Sequence, residues 1–229
     1  YTVTANISAA ATGTLSNTAT ISSAVTDPNP ANNSATDTDS LLVELLLNGG
    51  FETPDATTGK KAQNWKTNVP SVNNDRRLCK PGAAFEGSCA YRFRFNGTIA
   101  NNGLARSIKQ VINSPAVGAG DTLTFSLQSS ANALVNQARA VVKVIYPTGK
   151  QKLVILIAPG TYAYTELTGT LLLTGTPTKI KVTIEPRTTT GRLYVDLVSL
   201  IEGSAPRIRL DTAEGQPLPL PGAPEGFRR

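Results

Sequence analysis

From Leu41 onward, apolar and polar positions alternate in short runs cut by Gly, Pro and Asn. That is the two-residue period of strands with one buried face. Ala90–Phe95 places Tyr91, Phe93 and Phe95 on one face and Arg92 and Arg94 on the other. Asp121–Gln128 turns Leu123, Phe125 and Leu127 inward and Thr122, Thr124 and Ser126 outward. Arg139–Tyr146 and Gln151–Ala158 flank a Pro-Thr-Gly-Lys turn, which predicts a hairpin. Thr165–Thr174, Lys179–Glu185 and Arg192–Ile201 are further strands, and only Gly103–Val111 has a helical spacing. Leu45–Glu52, reading LLLNGGFE, is an apolar run entering an Asn-Gly-Gly turn and predicts the first strand of this domain. Trp65 follows a polar loop as a core or rim anchor. Many strands without alternating helices predict an all-β protein, a sandwich or jelly roll.

The two ends read differently. Residues 1–40 hold strand-like runs at Tyr1–Ile7, Leu15–Ser23 and Ser34–Asp39, with the turn-rich DPNPANN at Asp27–Asn33. A segment of this size buries too little surface to stand as a sandwich, and its strands present unpaired edges. Upstream sequence, the adjacent domain or a strand from a neighbouring molecule is expected to complete it. Residues 204–229 are Pro-rich, with Pro at alternate positions in QPLPLPGAP, and predict an extended polyproline-like tail. The organisation expected is a segment over 1–40, a β-sandwich over 41–203 and a tail over 204–229. The chain starts at Tyr1 rather than Met, as a processed product or a piece of a longer protein does.

Charge sharpens this division. Residues 1–59 hold Asp27, Asp37, Asp39, Glu44, Glu52 and Asp55 and no Lys or Arg, so all 22 basic residues lie beyond them. An acidic end and a basic body attract copies head to tail, or draw an anionic polymer to the body. Head-to-tail assembly would place contacts at Tyr1, Val3, Asp37 and Asp39 and at Arg207, Arg209, Leu218 and Leu220. No apolar run approaches the ~20 residues of a membrane span. Cys79 and Cys89 flank a Pro-Gly turn and either close a short disulfide loop or stay as buried thiols; export to an oxidising compartment favours the disulfide. Sequons at Asn6, Asn32 and Asn96 are compatible with export, but an Asn/Thr-rich chain produces such triplets by chance.

The chain has no histidine, which excludes a Ser-His-Asp triad and the usual zinc-hydrolase sites. It shows no nucleophile elbow, phosphate-cradling loop or dinucleotide fingerprint. No enzymatic activity is expected. Nucleic-acid binding is not expected either, since the basic residues belong to no module that reads DNA or RNA.

Two resemblances bear on function. GTLSNTATISS and TDPNPANNSATDTD resemble the closing strands of the Ig-like bacterial surface repeat called domain of unknown function eleven. NGGFE at Asn48–Glu52, Trp65, GSCAYRF at Gly87–Phe93, GDTLTFSL at Gly120–Leu127 and RLYVDLVSL at Arg192–Leu200 resemble the jelly-roll modules typified by the family-four and family-nine carbohydrate-binding modules. The second resemblance implies a structural calcium held by Glu52 and Asp196, although Leu197 stands where the family has a second acid; the plainer alternative is carboxylates capping loop N–H groups. It also implies a glycan site. With the strand aromatics directed inward, the candidates are Arg92 and Arg94 with Tyr162, Tyr164 and Tyr194, a set suited to an anionic polysaccharide. Two functions are therefore expected: a secreted or cell-surface structural or adhesive subunit that assembles with copies of itself, or a carbohydrate-binding module.

Overall fold

The structure is a computed structural model and describes residues 13–68, 75–96, 106–188 and 190–203. The chain divides into two compact units, and Glu44–Ser204 is the larger. In the smaller, β1 (Gly13–Thr20) and β2 (Ser34–Leu41) form an antiparallel ribbon running from Gly13 opposite Leu41 to Thr20 opposite Ser34. The intervening loop turns where Asp27 Oδ1 accepts the Asn29 N–H at 2.8 Å, before a 3-10 turn at Pro30–Asn32. Thr18 and Thr36 hydroxyls meet across the ribbon at 2.9 Å. A two-stranded ribbon is marginal by itself. The strand expected at Tyr1–Ile7 lies outside the described residues.

The larger unit is a sandwich of two five-stranded antiparallel sheets. Its strands are β3 (Lys66–Thr67), β4 (Arg76–Cys79), β5 (Cys89–Asn96), β6 (Ile108–Asn113), β7 (Thr122–Leu134), β8 (Ala138–Ile145), β9 (Lys150–Ile157), β10 (Gly160–Leu172), β11 (Lys179–Pro186) and β12 (Thr190–Glu202). The first sheet runs β10-β7-β12-β5-β4 and the second β3-β6-β11-β8-β9. Tyr91, Phe93, Phe125, Leu193 and Leu200 of the first meet Ile108, Val142, Ile180 and Ile184 of the second in one core. The alternation that marks these strands in the sequence is the alternation of buried and outward positions in the sandwich. The cysteines are disulfide-bonded at directly opposed positions of β4 and β5. Closing so short a loop contributes about 2–3 kcal/mol in the chain-entropy account.

Two expectations are corrected. The helix expected at Gly103–Val111 is, over the part described, strand β6: Ile108, Val111 and Ile112 mimic a helical spacing, but β6 pairs along β11 from Ile108 to Asn113. The apolar run before the Asn-Gly-Gly turn is not a strand; only Glu44 makes a β-bridge, to Ile201. After the Leu45 N–H, which donates to Leu200 O, side chains take over, for Gln110 Oε1 accepts the Leu47 N–H at 2.8 Å and Gln110 Nε2 donates to Leu47 O at 2.9 Å. The short strands β3 and β4 lie where the sequence shows no clear alternation.

The Asn48–Glu52 turn is set against β12. Asn48 and Phe51 take left-handed backbone (φ 54 and 58), which asparagine tolerates well and phenylalanine poorly. Asn48 offsets this by bonding Thr53 through both N–H and C=O, and Trp65 Nε1 donates to Asn48 O at 2.9 Å. Phe51 is fully buried beside Trp65 and Tyr91, at centroid distances of 5.4 and 5.8 Å. Gly49 lies so close to β12 that a Cβ there would stand 1.8 Å from the Val198 carbonyl oxygen, whereas at Gly50 it would meet nothing nearer than 3.7 Å. Gly49→Ala should therefore lower unfolding stability by about 2–4 kcal/mol, and Gly50→Ala should stay within about 1 kcal/mol of the parent. Urea denaturation of the two variants checks this, and equal losses would contradict it.

Candidate functional site

The loop closed by the disulfide crosses the outer face of the first sheet. Asp196 Oδ2 accepts the N–H groups of Phe85 (2.8 Å) and Glu86 (3.2 Å), and its Oδ1 accepts the Leu197 N–H (2.7 Å). Glu52 Oε1 accepts the N–H groups of Ser88 and Cys89, both at 2.9 Å. The Tyr164 hydroxyl donates to Ala83 O at 2.6 Å. Tied at three places, the loop presents Phe85 half exposed, 50 %, and edge-on to Tyr164 at 5.7 Å between centroids. Burial first, and the Asp196 charge next, push the Tyr164 hydroxyl well above the ordinary tyrosine range.

Strand register lines up the rest of the face, because residues directly opposed in neighbouring strands point to the same side. One row reads Arg76, Arg92, Tyr194, Ser130, and the adjacent row Arg94, Arg192, Asn132. Tyr164 lies beside Ser130 and so joins the first row. Burial, then the guanidinium of Arg76, with Arg94 and Arg192 adding, lowers the Arg92 pKa, while Tyr194 works the other way. The guanidinium groups of Arg76, Arg94 and Arg192 beside three aromatic rings can take carboxylate or sulfate groups bidentately while the rings accept the apolar face of a sugar.

The sequence candidates are therefore partly brought together. Arg94 is exposed and Tyr164 and Tyr194 are half-buried on this face. Arg92 lies on it as well but is only 8 % exposed, a buried member beneath its neighbours rather than a free contact. Tyr162 is not on it: the β10 register shifts on both sides of Tyr162, which packs against the core and donates to Ala158 O at 3.1 Å. Sequence reasoning misses Phe85, Arg76, Arg192 and Asn132. A signal exists for Arg192, which shares the two-residue phase of Tyr194; Phe85 is marked only as the one aromatic between the cysteines. Of the assembly candidates, Asp37 is exposed on β2 and Asp39 belongs to the same strand. Tyr1, Val3, Arg207, Arg209, Leu218 and Leu220 lie outside the described residues.

Glu52 and Asp196 are neighbours, as the calcium expectation requires, and the Glu52 charge adds to the burial that raises the Asp196 pKa. Their oxygens, however, face backbone N–H donors, and among the described residues no three His, Cys, Asp or Glu side chains gather to hold a metal. In this arrangement both carboxylates cap loop N–H groups.

No protein-family model matches the chain, and no curated protein sequence does. Solved structures share its sandwich. The enzymatically active domain of tailspike protein 4 of bacteriophage CBA120 matches 69% of this chain at 11% identity with a TM-score of 0.51, over 21% of the tailspike chain. A Stig cyclase from Fischerella sp. TAU matches 72% of this chain and 100% of its own at 14% identity and a TM-score of 0.50. A family 16 carbohydrate-binding module matches 68% of this chain and 98% of its own at 12% identity and a TM-score of 0.49. At such identities the likeness is one of fold, an all-β jelly-roll sandwich. The Ig-like resemblance of residues 1–40 finds no support among these matches.

Burial is the leading cause that raises both Asp196 and Asp75 from the ordinary aspartate value of 3.8 to about 6. For Asp196 it outweighs three N–H donors, and for Asp75 the Arg94 N–H and the Arg106 and Arg92 charges. The folded chain thus holds these protons more tightly than the unfolded chain. The stability they contribute is full below about 3.8 and is lost as pH rises through about 6. Thermal unfolding is accordingly expected at higher temperature at pH 5 than at pH 7.5, with on the order of 1–2 kcal/mol from each group. The same scans with calcium or with EDTA should superimpose; a calcium-dependent rise would restore the metal expectation.

Proposed function

We propose that this chain is a non-catalytic polysaccharide-binding module that takes an anionic glycan on the outer face of its first sheet. The observation that carries the reading is the pair of rows Arg76–Arg92–Tyr194 and Arg94–Arg192, with Tyr164 and the presented Phe85 completing the face. The arginines supply charge and forked donors for carboxylate or sulfate; the rings supply apolar area with little side-chain entropy to lose. The carboxyls of Asp196 and Asp75 accept backbone N–H groups, a holding role rather than acid–base chemistry. The Cys79–Cys89 disulfide supports a secreted or cell-surface setting. No helix among the described residues is long and apolar enough to cross a membrane.

A second reading, a self-assembling surface subunit, is favoured by one observation: β1 and β2 form a two-stranded ribbon, an element that gains from a further strand.

Titration with short oligogalacturonides and sulfated oligosaccharides, followed by amide shifts, tests the first reading. Shifts are expected at Phe85, Arg94, Arg192 and Tyr194. Arg94→Thr with Arg192→Thr should weaken binding about tenfold, the value of one to two charge-assisted contacts. Equal binding of a neutral oligosaccharide, or no shifts on this face, would overturn it. Sedimentation of the same samples addresses the second: concentration-dependent polymers support strand completion, and monomers throughout contradict it.

A further inference from the structure

The outer face of the second sheet carries a different chemistry that the first site does not use. Register places Lys181 of β11 directly opposite Lys143 of β8, and Lys143 directly opposite Lys152 of β9. Neighbouring strands lie about 4.8 Å apart, so three ammonium groups stand in a row roughly 10 Å long. At the β3 edge of the same sheet, Lys66 stands opposite Lys109. On the other flank Lys179 and Lys150 both pair with Ile145. Like charges set directly opposite one another across a sheet work against the fold. The one acid among these outward positions, Glu185, is already paired with Arg139 and Arg187. Among the described residues none of these lysines has an ion pair. A sheet that keeps such an arrangement has its repulsion relieved when a polyanion lies along it.

We propose that this lysine face is a second binding surface, for an anionic polysaccharide, separate from the arginine–tyrosine face. Charge complementarity requires an anion, and the rest of the structure narrows which. On a second copy of the chain, Asp27, Glu44, Glu52 and Asp55 accept hydrogen bonds within their own chain, and Asp37, exposed on β2, is a single acid against a row of three lysines. A single-stranded nucleic acid would need rings on which bases stack, and the outward positions between these lysines are Val111, Thr183, Val141 and Val154. Such an aliphatic floor suits the C–H faces of sugar rings, with the lysine heads at their anionic groups. With one basic face on each side of the sandwich, a single molecule bridges two polysaccharide strands. The lysine face itself does not rest on the arginine–tyrosine reading.

The test is equilibrium binding to dextran sulfate and to polygalacturonate at low and physiological salt. The triple variant Lys143→Thr, Lys152→Thr, Lys181→Thr should bind about tenfold or more weakly, with the loss shrinking as salt rises. Its melting temperature should be equal or higher, because Thr suits an exposed strand and the opposed charges are gone. Lys→Arg at the same three positions should keep the affinity. Mixtures of the parent with long dextran sulfate should turn turbid, and the triple variant should not. Parental affinity in the Thr variant, equal loss in the Arg variant, or tighter retention on DNA or on anionic lipid vesicles than on either polysaccharide would each overturn the proposal. If the Arg94 and Arg192 substitutions leave binding unchanged while the lysine substitutions weaken it, the first face fails and this one stands. The opposite pattern would remove the lysine face and leave the arginine–tyrosine face in place.

Discussion

The sandwich depends on how β12 satisfies its backbone where it leaves the ladder. Between Asp196 and Ser199 its pairing with β7 shifts register, and Leu197 takes left-handed backbone at φ 47. A break in a buried strand orphans N–H groups, and each needs a partner. Here the Asp196 side chain takes the Leu197 N–H, Gly49 O takes the Val198 N–H at 3.0 Å, and Glu44 Oε1 takes the Leu200 N–H at 2.8 Å. Two of these partners come from the opening stretch of the domain, which explains why the Asn-Gly-Gly turn must press onto β12 with no room for a side chain.

The same solution sets the surface charge. Glu44, Glu52, Asp55 and Asp196 are committed to backbone N–H groups, and Asp75 to Arg94 N and Arg106. The acids act as local fasteners, while lysines and arginines project from both outer faces. Asp37 on β2 stays exposed at the acidic start of the chain, and the basic imbalance of the rest becomes two basic surfaces on one sandwich.

Much of the fold is legible in the sequence, because alternation in β5, β7, β8 and β11 encodes a buried face directly. The cysteine pairing is legible from the short loop between the two residues. What the sequence hides depends on neighbours distant along the chain. β6 reads as a helix because Ile108, Val111 and Ile112 fit two periods at once, and only its pairing with β11 decides between them. The apolar run at Leu45–Leu47 reads as a strand, yet only Leu45 N–H meets a backbone carbonyl, that of Leu200, and the side chains of Glu44 and Gln110 partner Leu46 and Leu47. A bulge moves Tyr162 out of phase with Tyr164. The lysine face is hidden for the same reason: each strand shows one or two outward lysines, and register alone puts Lys181, Lys143 and Lys152 side by side.

Amide hydrogen exchange at Phe85, Ser88, Cys89 and Leu197 tests most directly whether carboxylates hold this backbone. Phe85 and Ser88 lie in an irregular loop, and the partners that would protect their N–H groups are the Asp196 and Glu52 side chains. Exchange as slow as that of core amides in β5 is the result expected; exchange at the rate of a solvated loop would contradict the account.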